Sequence, residues 1–92
     1  MANRIEHNTD QNRFEVYVDD TLAGYAEYLE SNGVRDFGHT VTNPEFRGRG
    51  LAGQVVKAAL DTSREQGFKI VPSCSYVAKY VESHPDYADL VA

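Results

Sequence analysis

The residues of this chain that could do chemistry are one cysteine, three histidines and a short run rich in arginine and glycine. The run is Asn43-Pro44-Glu45-Phe46-Arg47-Gly48-Arg49-Gly50-Leu51-Ala52. Glycines let a backbone bend until several N–H groups aim at one point. A helix beginning there adds unpaired N–H donors and the positive end of its dipole. Arg47 and Arg49 contribute fixed positive charge, so a pyrophosphate is the natural ligand for such a cradle. The run lacks the Gly-Lys-Ser/Thr ending of a nucleoside-triphosphate loop and the third glycine of the dinucleotide fingerprint. The plainer alternative is a glycine loop with solvated arginines, which the position between a strand and a helix disfavours.

Cys74 stands just before a second stretch of helical character, where the dipole favours a thiolate. It reads either as a nucleophile or wall of an acyl pocket, or as a small buried hydrophobe. His39 lies on the strand leading to the arginine–glycine run. Facing a cleft, it could accept a proton from an incoming amine, because its reference pKa is about 6.5; otherwise it is a hydrogen-bonded sheet histidine. His84 precedes Pro85 and reads as the end of the second helix, while His7 carries no signal. Three histidines and one cysteine without short spacings predict no metal site.

The elements that must position these groups follow from periodicity. Phe14, Val16 and Val18 alternate with Arg13, Glu15, Tyr17 and Asp19, the pattern of a strand with one buried face. Asp19-Asp20-Thr21 reads as a turn. A second strand is predicted from Leu22 to about Leu29, and Ser31-Asn32-Gly33 is a hairpin turn, since Asn-Gly accepts positive φ. A third strand is expected from Val34 to about Thr42, with a further one over Arg4 to Asn8. The period then changes. Leu51, Ala52, Val55, Val56, Ala59 and Leu60 recur at helical spacing, which predicts a helix from about Arg49 to Gln66 ended by Gly67. Phe68, Ile70 and Val71 make a short apolar strand, and Ser75 to about Glu82 a shorter helix ended by His84-Pro85. The expected fold class is α+β, a mostly antiparallel twisted sheet with two main helices and an appended βαβ crossover, in one domain over residues 1–92.

Composition narrows the function. The 92 residues are 41% hydrophobic and 25% charged, as in ordinary globular domains. Nine Lys and Arg against fourteen Asp and Glu give a net charge of −5, which disfavours nucleic acid as a partner. No apolar run reaches membrane-spanning length and the N-terminus shows no signal-peptide pattern, so a cytoplasmic location without membrane association is expected.

Arg47-Gly48-Arg49-Gly50-Leu51-Ala52 resembles the Arg/Gln-x-x-Gly-x-Gly/Ala motif of the GCN5-related N-acetyltransferase (GNAT) superfamily. More closely, the chain is similar to the very small GNAT-like proteins. Their motifs are matched here by His39-Thr40-Val41, Pro72-Ser73-Cys74-Ser75-Tyr76-Val77 and His84-Pro85-Asp86-Tyr87. The resemblance implies a minimal GNAT fold with acetyl-CoA (CoA) as the acyl donor. It places the CoA pyrophosphate on the backbone of Arg47, Gly48, Arg49, Gly50, Leu51 and Ala52, and the pantetheine arm beside Val41 and Thr42. It implies roles for Cys74 beside the thioester and for Tyr80, favoured over Tyr76, as the proton donor to the departing thiolate. The expected activity is N-acetyl transfer to an unidentified amine. The alternatives are a non-catalytic acyl-CoA-binding module and an interaction domain without a ligand. Larger GNAT enzymes have helices near the N-terminus that help build the acceptor site, and this chain has strands there instead.

Overall fold

The computed structural model describes residues 2–92. Five strands form one sheet in chain order: β1 (Asn3–Asn8), β2 (Arg13–Val18), β3 (Thr21–Ser31), β4 (Val34–Thr42) and β5 (Lys69–Val71). The first four run antiparallel to their neighbours, and β5 is parallel to β4. The crossover between them carries helix α1 (Leu51–Glu65), and α2 (Ser75–Ser83) follows β5. This is the α+β architecture that the periodicity predicts. Two 3₁₀ segments, Pro44–Phe46 and Pro85–Leu90, complete the chain.

The β3–β4 turn has Asn32 at φ 53° and Gly33 at φ 76°, the left-handed pair that matches strand twist in a two-residue hairpin. The long helix begins at Leu51, two residues later than the periodicity predicts, because Gly50 is left-handed (φ 71°) and cannot belong to it. Its other end is closed by backbone bonds from Phe68 N–H to Ser63 O (2.8 Å) and from Gly67 N–H to Arg64 O (3.1 Å). Gly67 is left-handed there, as a residue ending a helix in this way must be.

Leu51, Val55, Val56 and Leu60 of α1 are buried against Phe14, Val16, Tyr28 and Phe37 of the sheet. The shortest extent of the molecule is 19 Å, which accommodates one sheet and one helical layer. The opposite face of the sheet is a polar layer. Glu15, expected at the exposed positions of its strand, is only 3% accessible there. Arg13 (2.6 Å), Tyr17 (2.9 Å) and Asn8 (3.2 Å) all bond its carboxylate. Burial pushes the Glu15 carboxyl up, but these bonds outweigh it and hold it below the ordinary range.

His7, silent in the sequence, is half-buried. Its ring stacks on Phe14 at 3.9 Å, and Nε2 lies 2.7 Å from the Tyr28 hydroxyl. Burial, aided by the Arg35 guanidinium, pushes its pKa below the ordinary 6.5. The unfolded chain therefore binds a proton on this ring more readily than the folded one. Its contribution is fully present above pH 6.5 and is lost as pH falls through the lowered folded value. The urea midpoint should drop between pH 7 and 5.5, and His7→Gln should flatten that slope. Equal slopes would remove His7 from the acid response.

Candidate functional site

Strands β4 and β5 pair only over Val34–Asp36 and Lys69–Val71. The last link is the Cys74 N–H bond to Phe37 O at 2.8 Å. Beyond it, β4 continues to Thr42 along β3 alone, leaving an open edge between itself and α2. Pro72 interrupts the chain after β5, and a residue without an N–H cannot extend a ladder.

A bulge decides what that edge presents. Glu27 of β3 pairs with His39 and Tyr28 with Phe37, so Gly38 is the extra residue. Backbone groups alternate sides along a strand, and one extra residue reverses the alternation. Before the bulge, Phe37 O faces Cys74. After it, Asn43 N–H bonds Ala23 O of β3 (2.7 Å), and the Val41 carbonyl sits beside Gly24 of β3. Thr40 and Thr42 therefore turn their backbone groups to the open edge. Val41, expected with Thr42 at this edge, faces β3 with its carbonyl.

Cys74 is the N-cap of α2. Its Sγ lies 3.5 Å from Thr40 Oγ1. Burial pushes the thiol up, but the Thr40 hydroxyl and the amides of Val77, Tyr76 and Thr40 outweigh it, so its pKa is lowered from 9.0. A thiolate at this position is thus favoured by the groups around it as well as by the helix end. Thr40 is the residue that sequence reading missed. Its neighbour His39 drew attention, and only the bulge turns the Thr40 amide to the gap.

The arginine–glycine run closes the far end of the edge. Asn43 caps the 3₁₀ turn Pro44–Phe46 by accepting from Glu45 N–H at 3.0 Å. Gly48 (φ 82°) and Gly50 (φ 71°) are both left-handed. Arg47, Gly48, Arg49 and Gly50 are all exposed, and the Arg49 guanidinium lies over the Phe46 ring at 5.2 Å. Gly50 is the N-cap of α1 and supplies no side chain to cap it. The amides of Leu51, Ala52 and Gly53, in the first turn, therefore lack intrahelical acceptors. Two left-handed glycines, open helix amides and two exposed guanidinium groups fit a polyanion such as a pyrophosphate.

The remaining expected residues are dispersed. His39 is exposed and lines a cavity of about 330 Å³ together with Glu27, Asp36, Gly38 and Ser73. Tyr80 stacks on His84 at 4.0 Å and tilts against Tyr87 at 6.0 Å. Burial raises its hydroxyl pKa, with Lys57 and Asp61 of α1 as its charged neighbours. The Tyr76 hydroxyl lies beside Gly53 in the first turn of α1, with the edge of the Tyr80 ring near the same point, and 41% of Tyr76 is accessible. The structure thus brings together Thr40, Cys74 and the open edge, sets His39 in the adjoining cavity, and packs Tyr80 on His84 and Tyr87 with its ring edge near the first turn of α1. His84 closes α2, its Nδ1 lying 2.8 Å from Tyr80 O.

Comparison with known proteins bears on this geometry. The profile of a GCN5-related N-acetyl-transferase family matches residues 13–90. The protein NATD1 of Xenopus tropicalis is 35% identical over 85 residues, which span 89% of this chain and 77% of that protein. The human NATD1 protein is also 35% identical over 85 residues, covering 89% of this chain and 74% of the relative. Among solved structures, a GCN5-like protein from Staphylococcus aureus aligns with a TM-score of 0.74 at 24% identity, over 97% of this chain and 87% of its own. A ribosomal-protein-alanine N-acetyltransferase from Brucella melitensis aligns with a TM-score of 0.61 at 18% identity, over 87% of this chain and 62% of its own. At these identities the two structures share the fold.

Proposed function

The chain belongs to the GCN5-related N-acetyltransferase family, and from that premise we propose that it transfers an acetyl group from acetyl-CoA to an amine. The observation that carries the reading is the parting of β4 from β5. It opens a strand edge with Cys74 beside it and the α1 N-terminus at its end. In this reading the backbone of Arg47 to Ala52, with both arginines, binds the donor pyrophosphate. Thr42 and Thr40 offer backbone groups to the pantetheine arm, and Val41 shapes the edge through its side chain.

The amine nitrogen forms a C–N bond at the thioester carbonyl as the C–S bond breaks. His39 takes the proton that the amine must lose, and a gap-facing N–H of β4 steadies the transient oxyanion. Tyr80 returns a proton to the departing thiolate; Tyr76, with its hydroxyl at the first turn of α1, is the alternative donor. Cys74 takes part in one of two ways. As a wall, it packs against the acyl group. As a nucleophile, its thiolate attacks the thioester carbon and CoA leaves as its thiolate. The amine then attacks the acetyl-cysteine and regenerates the thiol. The lowered thiol pKa and the contact with Thr40 support the second way.

The test is calorimetric titration with acetyl-CoA, followed by release of free CoA in the presence of a panel of amines. Binding with release that depends on the amine is expected. Binding without release to any amine would make the chain an acyl-CoA-binding module, and absence of binding would sink both readings. In acetyl-CoA without amine, mass spectrometry should find one acetyl group on Cys74, absent in Cys74→Ala. Thr40→Val should shift the pH midpoint of thiol alkylation upward, because it removes a hydrogen bond to the thiolate. Full transfer by Cys74→Ala would leave the cysteine as a wall.

A further inference from the structure

The cavity beside the bulge has features that neither the sequence motif nor the donor edge uses. It measures about 330 Å³ and opens on the polar face of the sheet. Glu27 of β3, with Asp36 and His39 of β4, contributes its titratable groups, and no Lys or Arg lines it. Leu29 provides apolar wall, Tyr28 contributes only its backbone because its ring is buried in the core, and Gln11 and Asn12 reach in from the β1–β2 turn. Gly38 and Ser73, the residues that follow Phe37 and precede Cys74, also line it. Those flanking residues are joined by the 2.8 Å bond from Cys74 N–H to Phe37 O. The cavity therefore reaches the bulge residue itself on one side and ends one residue from the thiol on the other.

Two observations say what would enter. Asp36 Oδ1 is buried without a hydrogen-bond partner among the described residues. A carboxylate left short of donors is costly, and a cation at its accessible side offsets that cost. The basic side chain paired across from Glu27 is engaged elsewhere. Arg13 stands across from Glu27, but its guanidinium bonds Glu15 at 2.6 Å and lies over the Tyr25 ring at 4.4 Å. The acids do not form a metal site, since no three His, Cys, Asp or Glu among the described residues are placed to hold an ion. The lining mixes carboxylates with methylene-sized apolar wall, which suits an alkyl chain ending in an ammonium group.

We propose that this cavity binds a small aliphatic diamine or polyamine. One ammonium docks between Glu27 and Asp36, and the apolar chain lies along Leu29. The far amine is directed past His39 toward the Cys74 edge. The proposal rests on the acetyl-transfer reading for the fate of that second amine, but the docking step stands apart from it. Transfer would follow the same bond changes: the free amine forms the new C–N bond, CoA leaves as its thiolate, and the lost proton passes to His39.

The experiment separates docking from turnover. Titration of the CoA-loaded protein with 1,4-diaminobutane, followed by NMR shifts, reads binding without chemistry. Butylamine, an Nα-acetylated lysine peptide and the diamine are compared. The diamine should bind at least tenfold tighter than butylamine and tighter than the peptide. Glu27→Gln and Asp36→Asn should each weaken it several-fold, with Asp20→Asn, which removes the same charge elsewhere, leaving it unchanged. Diamine affinity unchanged in both pocket variants, or lowered equally by Asp20→Asn, would overturn the assignment. So would tighter binding of the lysine peptide, or no binding of the diamine. If the diamine binds as stated but no CoA is released, the cavity stands and the acetyl-transfer reading falls.

Discussion

Gly50→Asp is expected to lower affinity for CoA by roughly 30-fold or more, a loss of about 2 kcal/mol. Gly50 is the left-handed N-cap of α1 and has no protein atom within 4 Å of the position a Cβ would take. Space inside the protein is therefore not what requires glycine. The positive φ is one requirement, costing a non-glycine residue roughly 1–2 kcal/mol of folding stability. Asp and Asn tolerate this region best, so both variants should fold. The second requirement comes from the ligand. A carboxylate at the N-cap stands where the pyrophosphate meets the open amides of the first turn, and two anions repel there. Gly50→Asn has nearly the same shape and backbone strain without the charge, so it should lose several-fold less affinity. Arg49→Ala should lose less than Gly50→Asp, because it removes one attraction and adds no repulsion. Calorimetric titration of the folded variants checks the order. A folded Gly50→Asp with wild-type affinity would move the donor pyrophosphate away from this loop.

Legibility in the sequence tracked how local each determinant is. Period-2 alternation located β2, and the Asn32-Gly33 pair fixed the β3–β4 hairpin, because both depend on residues a few positions apart. Helical spacing identified α1 and its buried residues for the same reason. The arginine–glycine run was legible because its chemistry is contiguous in the chain. The bulge was not. Phe37-Gly38-His39 reads as an uninterrupted strand, yet Gly38 goes unpaired and every later residue turns to the other side. That single insertion brings Thr40 to Cys74 and aims the Val41 carbonyl at β3. The buried polar groups were hidden too. Glu15 alternates like an exposed residue, and its burial depends on Arg13, Asn8 and Tyr17 closing over it from two strands. The segment Pro85–Leu90 shows no periodicity. It is held by contacts across the fold, including Tyr87 hydroxyl to Asp61 at 2.7 Å and Arg64 to Asp89 at 2.8 Å.

Gly24→Ala should destabilise the fold by roughly 1–3 kcal/mol, the range for overpacking a filled interior. Gly24 is buried on β3, opposite Thr42. A Cβ there would fall 2.6 Å from the Val41 carbonyl oxygen and 3.4 Å from Thr42 Cα. The first distance is far below contact, and both neighbours are backbone, so no side chain can rotate away. Relief requires the end of β4 to move away from β3. That movement alters the edge to which Thr40 and Thr42 present their backbone groups. Gly24→Ala should therefore lower the melting temperature by roughly 4–8 °C for each kcal/mol lost, and also weaken acetyl-CoA binding in whatever fraction stays folded. Gly38→Ala is the matched control on the neighbouring strand. Gly38 has no positive φ and nothing within 4 Å of its Cβ position, so alanine should be accommodated without a clash. Thermal melts and acetyl-CoA titrations of the two variants side by side read both effects. If Gly24→Ala melted with the wild type, β3 and β4 could separate at no cost, and the edge would not be held at the position that donor binding needs. If it melted lower but bound acetyl-CoA with wild-type affinity, the end of β4 would carry none of the donor contact. The site would then rest on the α1 N-terminus and its arginines alone.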